Sequence, residues 1–319
     1  MLKVPKIENE INEKDVEKSL AKNFEKVVSS WLPFQLIWLN NSYSKTKDHE
    51  KWLIVIYIIS KVVNFYSRNL INYTLEEYNR IQNLEIKDLK IIEISKTLNL
   101  KKETTRRKIN ELQKEGFLKK NKKNITVLSS PKNFPGTTTQ KSTEVVFVLC
   151  SLIAKVLYEK KILKKIITKK EFKEHIEKNF TYYLKNFYDM QIKVVIIWKD
   201  FFKDLDLFHV FGVCVNNRNY DFKKINYSTE RIEFIKNFLS QKGHITGISA
   251  MSISEISGIP RATVVRKLNI LTKRGFLSRD NNKLYSVNNK NYSELEKIQK
   301  KILKHLSIFI TKTINRIII

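Results

Sequence analysis

Two stretches of this chain set cationic, carboxamide and hydroxyl side chains at matching spacings. In the first they are Lys102, Thr104, Arg106, Arg107 and Asn110; in the second, Arg261, Thr263, Arg266 and Asn269. An arginine fork fits the paired O6/N7 acceptors of guanine, and an asparagine amide fits the N6/N7 edge of adenine. Threonine hydroxyls and lysine ammoniums suit phosphate oxygens, which hold a register without reading bases. The competing reading of either stretch alone is a solvated basic face on an ordinary helix. Its recurrence at equivalent positions weakens that reading.

The elements that must position these residues belong to a longer internal repeat. Shifted by 159 residues, Ile92–Leu118 (IEISKTLNLKKETTRRKINELQKEGFL) falls without a gap on Met251–Leu277 (MSISEISGIPRATVVRKLNILTKRGFL). Identities include Ser95/Ser254, Thr104/Thr263, Arg107/Arg266, Lys108/Lys267, Asn110/Asn269 and Gly116/Gly275. Weaker echoes flank this core. Lys22-Asn23-Phe24 matches Lys185-Asn186-Phe187, and Lys132-Asn133-Phe134 matches Lys290-Asn291-Tyr292.

Each segment has what two crossing helices require. Ser95 and Ser254 are small residues for the crossing, and Asn99 and Gly258 tolerate a left-handed turn. Thr105, Ile109 and Leu112, then Val264, Leu268 and Leu271, give an inward i, i+4, i+7 stripe on the second helix. Pro260 suits a helix start, and Gly116 and Gly275 suit a helix stop. Phe117-Leu118 and Phe276-Leu277 then open a strand. Polar, basic turns follow at 119–124 and 278–283, and return strands at 125–128 and 284–287 complete a β-wing.

The expected fold is therefore mainly α, an internal tandem duplication with two winged helix-turn-helix domains on a helical scaffold. The first repeat spans 1–178: scaffold helices, a winged helix at about 73–128, a linker at 129–143 rich in Ser, Thr, Pro and Gly, and a long helix. The second spans 179–319: scaffold helices, a winged helix at about 229–288 and a C-terminal helix. In that last helix Leu295, Ile298, Ile302, Leu306, Phe309, Thr313 and Ile317 form an amphipathic stripe, a core face or a seam through which a homodimer could form.

The second segment, ISEISGIPRATVVRKLNILTKRGFL, resembles the winged heads of bacterial MarR and IclR type transcriptional regulators. They share the order small residue, Gly turn, Thr-Val, Arg, Leu, then Gly-aromatic-Leu. The resemblance covers the heads and not the flanking helices. The first head departs from it at Thr105, where an aliphatic residue is usual, and carries an acid at Glu103. The resemblance implies that the second helix enters the major groove of double-stranded DNA by its N-terminal half. The residues facing the groove would be Lys102, Thr104, Arg106, Arg107 and Asn110 in one head, and Arg261, Thr263, Arg266 and Asn269 in the other. Lys122, Lys123, Arg279 and Lys283 on the wings would reach backbone or minor groove.

Charge agrees with such a partner: 60 Lys and Arg against 32 Asp and Glu leave a net +28, a surplus that favours a polyanion. With only 7 Gly and 5 Pro, a many-stranded all-β fold is disfavoured. The apolar runs at Trp52–Ser60 and Val145–Leu157 fall short of the ~18–20 residues of a membrane-spanning helix. The first twenty residues lack a signal-peptide core. Cys150 and Cys214 have no metal or redox spacing and read as buried thiols, which with the missing signal points to the cytoplasm. The five histidines have no metal-ligand spacing, and no phosphate-binding, dinucleotide or nucleophile-elbow motif is present, so neither an enzyme nor a cofactor is expected. Asp200, Asp204 and Asp206 read as a solvated face. The aromatic residues around Trp31, Trp38, Trp198 and Phe211 read as scaffold core, or else as the lining of a pocket for an effector that nothing here names. A transcriptional regulator is the reading; a plasmid-type replication initiator and a protein-binding scaffold are its rivals.

Overall fold

The computed structural model describes residues 10–121, 124–128, 136–222, 247–288 and 290–319, with 231, 232, 235 and 238. Among these residues the chain is mainly helical with two small antiparallel sheets. It divides into two compact units. A middle unit holds 48–147 and 168–196; a flanking unit holds 1–47, 148–167 and 197–319. Both units draw on both sides of Asn179.

The middle unit is built on α3 (His49–Arg68). Its run from Leu53 to Ile59 is buried at every position. A helix apolar all round lies inside a core, and each such side chain contributes ~1.5–3 kcal/mol on burial. The apolar run of the sequence is thus a core helix. Among the described residues no helix is long and apolar enough to cross a membrane. Packed on α3 are β1 (Asn83–Lys87), α6 (Lys102–Lys114) and β3 (Asn124–Leu128). The unit also contains α4 (Leu75–Arg80), α5 (Ile91–Thr97), β2 (Leu118–Lys120), α8 (Lys169–Lys178), and parts of α7 (Gly136–Glu159) and α9 (Phe180–Phe202). The sheet order is β1-β3-β2. β1 was not anticipated, although Leu84 and Ile86 alternate with polar neighbours. A five-residue strand alternates too briefly to stand out before its partner β3 is known.

In the flanking unit the central helix is α10 (Leu205–Phe222). It packs on α2 (Phe24–Thr46), α11 (Ala250–Ser257), α12 (Arg261–Lys273) and β5 (Tyr285–Val287), which pairs with β4 (Leu277–Arg279). α1 (Glu13–Lys22) lies along α13 (Tyr292–Ile318). All seven stripe positions of α13 are buried within the chain itself.

Local geometry recurs outside the heads. The ten-residue helices α1 and α8 end at Asn23 and Asn179, whose amides donate back to Ser19 O (2.9 Å) and His175 O (3.1 Å). Each leads into a 23-residue helix, α2 or α9, that ends before a left-handed lysine, Lys47 (φ 52°) or Lys203 (φ 62°). Asp48 and Asp204 then cap α3 and α10 by accepting two backbone N–H groups each. The counterpart of Lys22-Asn23-Phe24 is therefore Lys178-Asn179-Phe180. Lys185-Asn186-Phe187, the match expected from sequence, lies inside α9. A three-residue identity at low complexity does not determine register; the helix junction does.

Two further expectations change. Residues 136–143, expected as linker, belong to α7. The threonines and Gly136 each cost a helix up to ~1 kcal/mol, which the buried face from Phe147 to Leu157 outweighs. Asp204 is no solvated acid but a helix cap and, as shown next, an ion-pair partner. The echo at Lys132-Asn133-Phe134, and most of 229–246, lie outside the described residues.

Candidate nucleic-acid interface

In the two matched segments, the first head (91–128) and the second (250–287), the small residue between the two helices makes the same bond. Ser95 Oγ donates to Leu100 O and Ser254 Oγ to Ile259 O, each at 2.7 Å. The turn residue between is left-handed in both, Asn99 at φ 50° and Gly258 at φ 70°. The two serines thus clamp the turn that sets the angle of the following helix. Gly116 and Gly275, both at φ 77°, end those helices. There Phe117 N–H bonds to Leu112 O, and Phe276 N–H to Leu271 O, each at 2.9 Å. A Cβ on Gly116 would meet nothing within 4 Å, so backbone conformation rather than space requires glycine.

The inward stripes are buried as expected: Thr105, Ile109 and Leu112, and Val264, Leu268 and Leu271, are each 0% exposed. Thr105 is accommodated in this buried stripe because its hydroxyl donates to Lys101 O at 3.0 Å. That removes the cost of burying it unpaired.

A second anchor was missed in sequence. Lys108 and Lys267, at the same repeat position, are buried in the middle of α6 and α12. Lys108 pairs with Asp48, and Lys267 with Asp204. Lys108 also has Glu50 at 3.3 Å; Lys267 has no second carboxylate among the described residues. Each pair ties the cap of the central helix to the middle of the outward-facing one. The partners are 60 and 63 residues apart, so only the recurrence of Lys at the repeat position hinted at a role.

The outward faces differ in their neighbours. Lys102, Arg106, Arg107 and Asn110 are exposed and Thr104 half-buried; Arg261, Arg266 and Asn269 are exposed and Thr263 half-buried. In the first head, Arg106 pairs with Glu103 at 3.1 Å and Arg107 with Glu111 at 2.6 Å. Glu111 also meets Lys51 at 2.9 Å, and Lys51 meets Glu115 at 2.5 Å. The Lys51 hydrogen bond holds the Glu111 carboxyl below its ordinary range. Burial pulls the Lys51 ammonium down, but its bonds to Glu115 and Glu111 prevail and leave it raised. In the second head no carboxylate among the described residues pairs with Arg261 or Arg266. Residues 101–115 hold six cations and three carboxylates, net +3; residues 260–274 hold five cations and no carboxylate, net +5.

At the β4–β5 hairpin, Arg279 lies over the Tyr285 ring at 5.6 Å, and Lys283 is exposed at φ 63°. Lys122 and Lys123 lie outside the described residues. Lys119 and Lys120 are exposed on β2.

Among the described residues no group of His, Cys, Asp and Glu could hold a metal ion. Burial pushes the free thiols of Cys150 and Cys214 up to about 12. Trp31, Trp198, Phe208 and Phe211 line an apolar pocket, open to solvent, in the flanking unit. No family model, no curated protein and no solved structure matches the chain.

Proposed function

We propose that this chain is a sequence-specific double-stranded DNA-binding protein, a transcriptional regulator, whose two winged helix-turn-helix heads arose by tandem duplication. The observation that carries the reading is the repetition of one local geometry beneath an outward basic face. In both heads a serine clamps a left-handed turn, a buried lysine pins the second helix, and Arg and Asn recur on its solvent side. That combination rigidly presents a cationic helix, which is what insertion into a major groove demands. The matching caps of the scaffold helices support duplication of more than the heads.

The test is selection of bound duplexes from a random pool, followed by binding at increasing salt. With ~6 phosphates neutralised, affinity falls ~10³-fold between about 50 and 200 mM salt. Binding to DNA that is absent, or indifferent to salt, would overturn the reading in favour of a protein-binding scaffold.

A further inference from the structure

The outward stripe of α12 is not uniformly polar. Ala262, Val265, Arg266 and Asn269 stand at i, i+3, i+4 and i+7, one face of the helix, and all four are exposed. Val265 is 37% exposed, an uncovered β-branched side chain between guanidinium groups. At the same repeat positions the first head has Glu103 and Arg106, bonded to each other at 3.1 Å. One head therefore offers two apolar surfaces where the other offers a closed ion pair. The next position repeats the contrast: Arg107 is held by Glu111, while the residue four beyond Arg266 is Ile270.

The C5-methyl of thymine is the apolar group that protrudes from the major-groove floor and that apolar side chains contact. Resting on the DNA-binding reading above, we propose that α12 is the base-reading helix of the chain and that Val265, flanked by Ala262, recognises thymine through its C5-methyl beside a base held by Arg266. In α6 the corresponding side chains are occupied with one another, and that helix contributes charge rather than base discrimination.

The test uses the full chain and a duplex it selects from a random pool. Each thymine is replaced in turn by deoxyuridine, which lacks only the methyl group. The wild-type chain should lose about fourfold in affinity at one or two positions, the value of one buried methyl at ~0.8 kcal/mol. Val265→Ala should bind the thymine and deoxyuridine duplexes equally at one of those positions, and Arg106→Ala should leave the penalty unchanged. Val265 is on an exposed helical face where alanine is well accommodated, and the base change leaves the protein untouched. Indifference to every deoxyuridine, a penalty that survives in Val265→Ala, or one that vanishes in Arg106→Ala would overturn the proposal. Salt-sensitive binding with no preferred duplex would overturn it too while leaving the DNA-binding reading intact; absence of any duplex binding overturns both.

Discussion

Removing the carboxylate of Asp204 should destabilise the protein more than removing that of Asp48, although both occupy the same place. Asp204 does two things. Its Oδ1 accepts Asp206 N–H at 2.8 Å and Leu207 N–H at 3.2 Å, capping α10, and its other oxygen pairs with Lys267. Loss of the cap costs ~1 kcal/mol. Leaving a fully buried charge unpaired costs ~3–5 kcal/mol. The Asp204 side chain is 32% exposed and Lys267 8%, so solvent screening brings that second cost down to ~2–3 kcal/mol. Asp204→Ala should therefore lose about 3–4 kcal/mol. In Asp48→Ala the cap is lost equally, but Glu50 remains 3.3 Å from Lys108, and the loss should stay near 1–2 kcal/mol. The double variant Asp204→Ala with Lys267→Met removes the orphaned ammonium and should recover stability relative to Asp204→Ala alone. Urea unfolding followed by far-UV circular dichroism, with tryptophan fluorescence as second probe, measures all three. Equal losses at the two aspartates, or a double variant weaker than Asp204→Ala, would refute the reasoning that Lys267 depends on Asp204 alone among the described carboxylates.

Under the proposed DNA-binding function, Arg279→Ala and Lys283→Ala should weaken binding to all DNA sequences alike and shallow the salt slope by about one each; an altered sequence preference would show that they read bases. Arg266→Ala should cost ~1–3 kcal/mol of discrimination at one position of the selected site, whereas Arg107→Ala, already paired with Glu111, should change affinity less than threefold, about 0.6 kcal/mol; footprints of the two variants decide it. Burial lowers the His49 imidazole from 6.5 to about 3. Between those values the unfolded chain holds a proton that the folded chain refuses, so stability falls as pH drops below about 6.5, by up to ~1.4 kcal/mol per pH unit. His49→Gln should flatten that slope between pH 6.5 and 5 in urea titrations, and an unchanged slope would mean that another group carries it.

The turns, helix stops and inward stripes of the two matched segments were legible in the sequence because their determinants are local. A left-handed turn needs Asn99 or Gly258 within a few residues of the helices it joins, a C-terminal stop needs Gly116 or Gly275, and an inward stripe follows from a 3.6-residue period. Those rules placed Ile109 and Leu268 inward and Arg107 and Arg266 outward, as found. Tertiary structure alone decided what lies beside them. Lys108 and Lys267 look like any basic helical residue until the chain brings Asp48 and Asp204 to them across 60 and 63 positions. Glu111 is i+4 to Arg107 and could have been suspected, but its hold on Lys51 of α3 could not. The assembly of each compact unit from both halves of the chain is beyond sequence pattern for the same reason. A side chain's spacing along a helix sets the direction it faces, but its charge environment and its partners are set by whatever the rest of the chain packs opposite it.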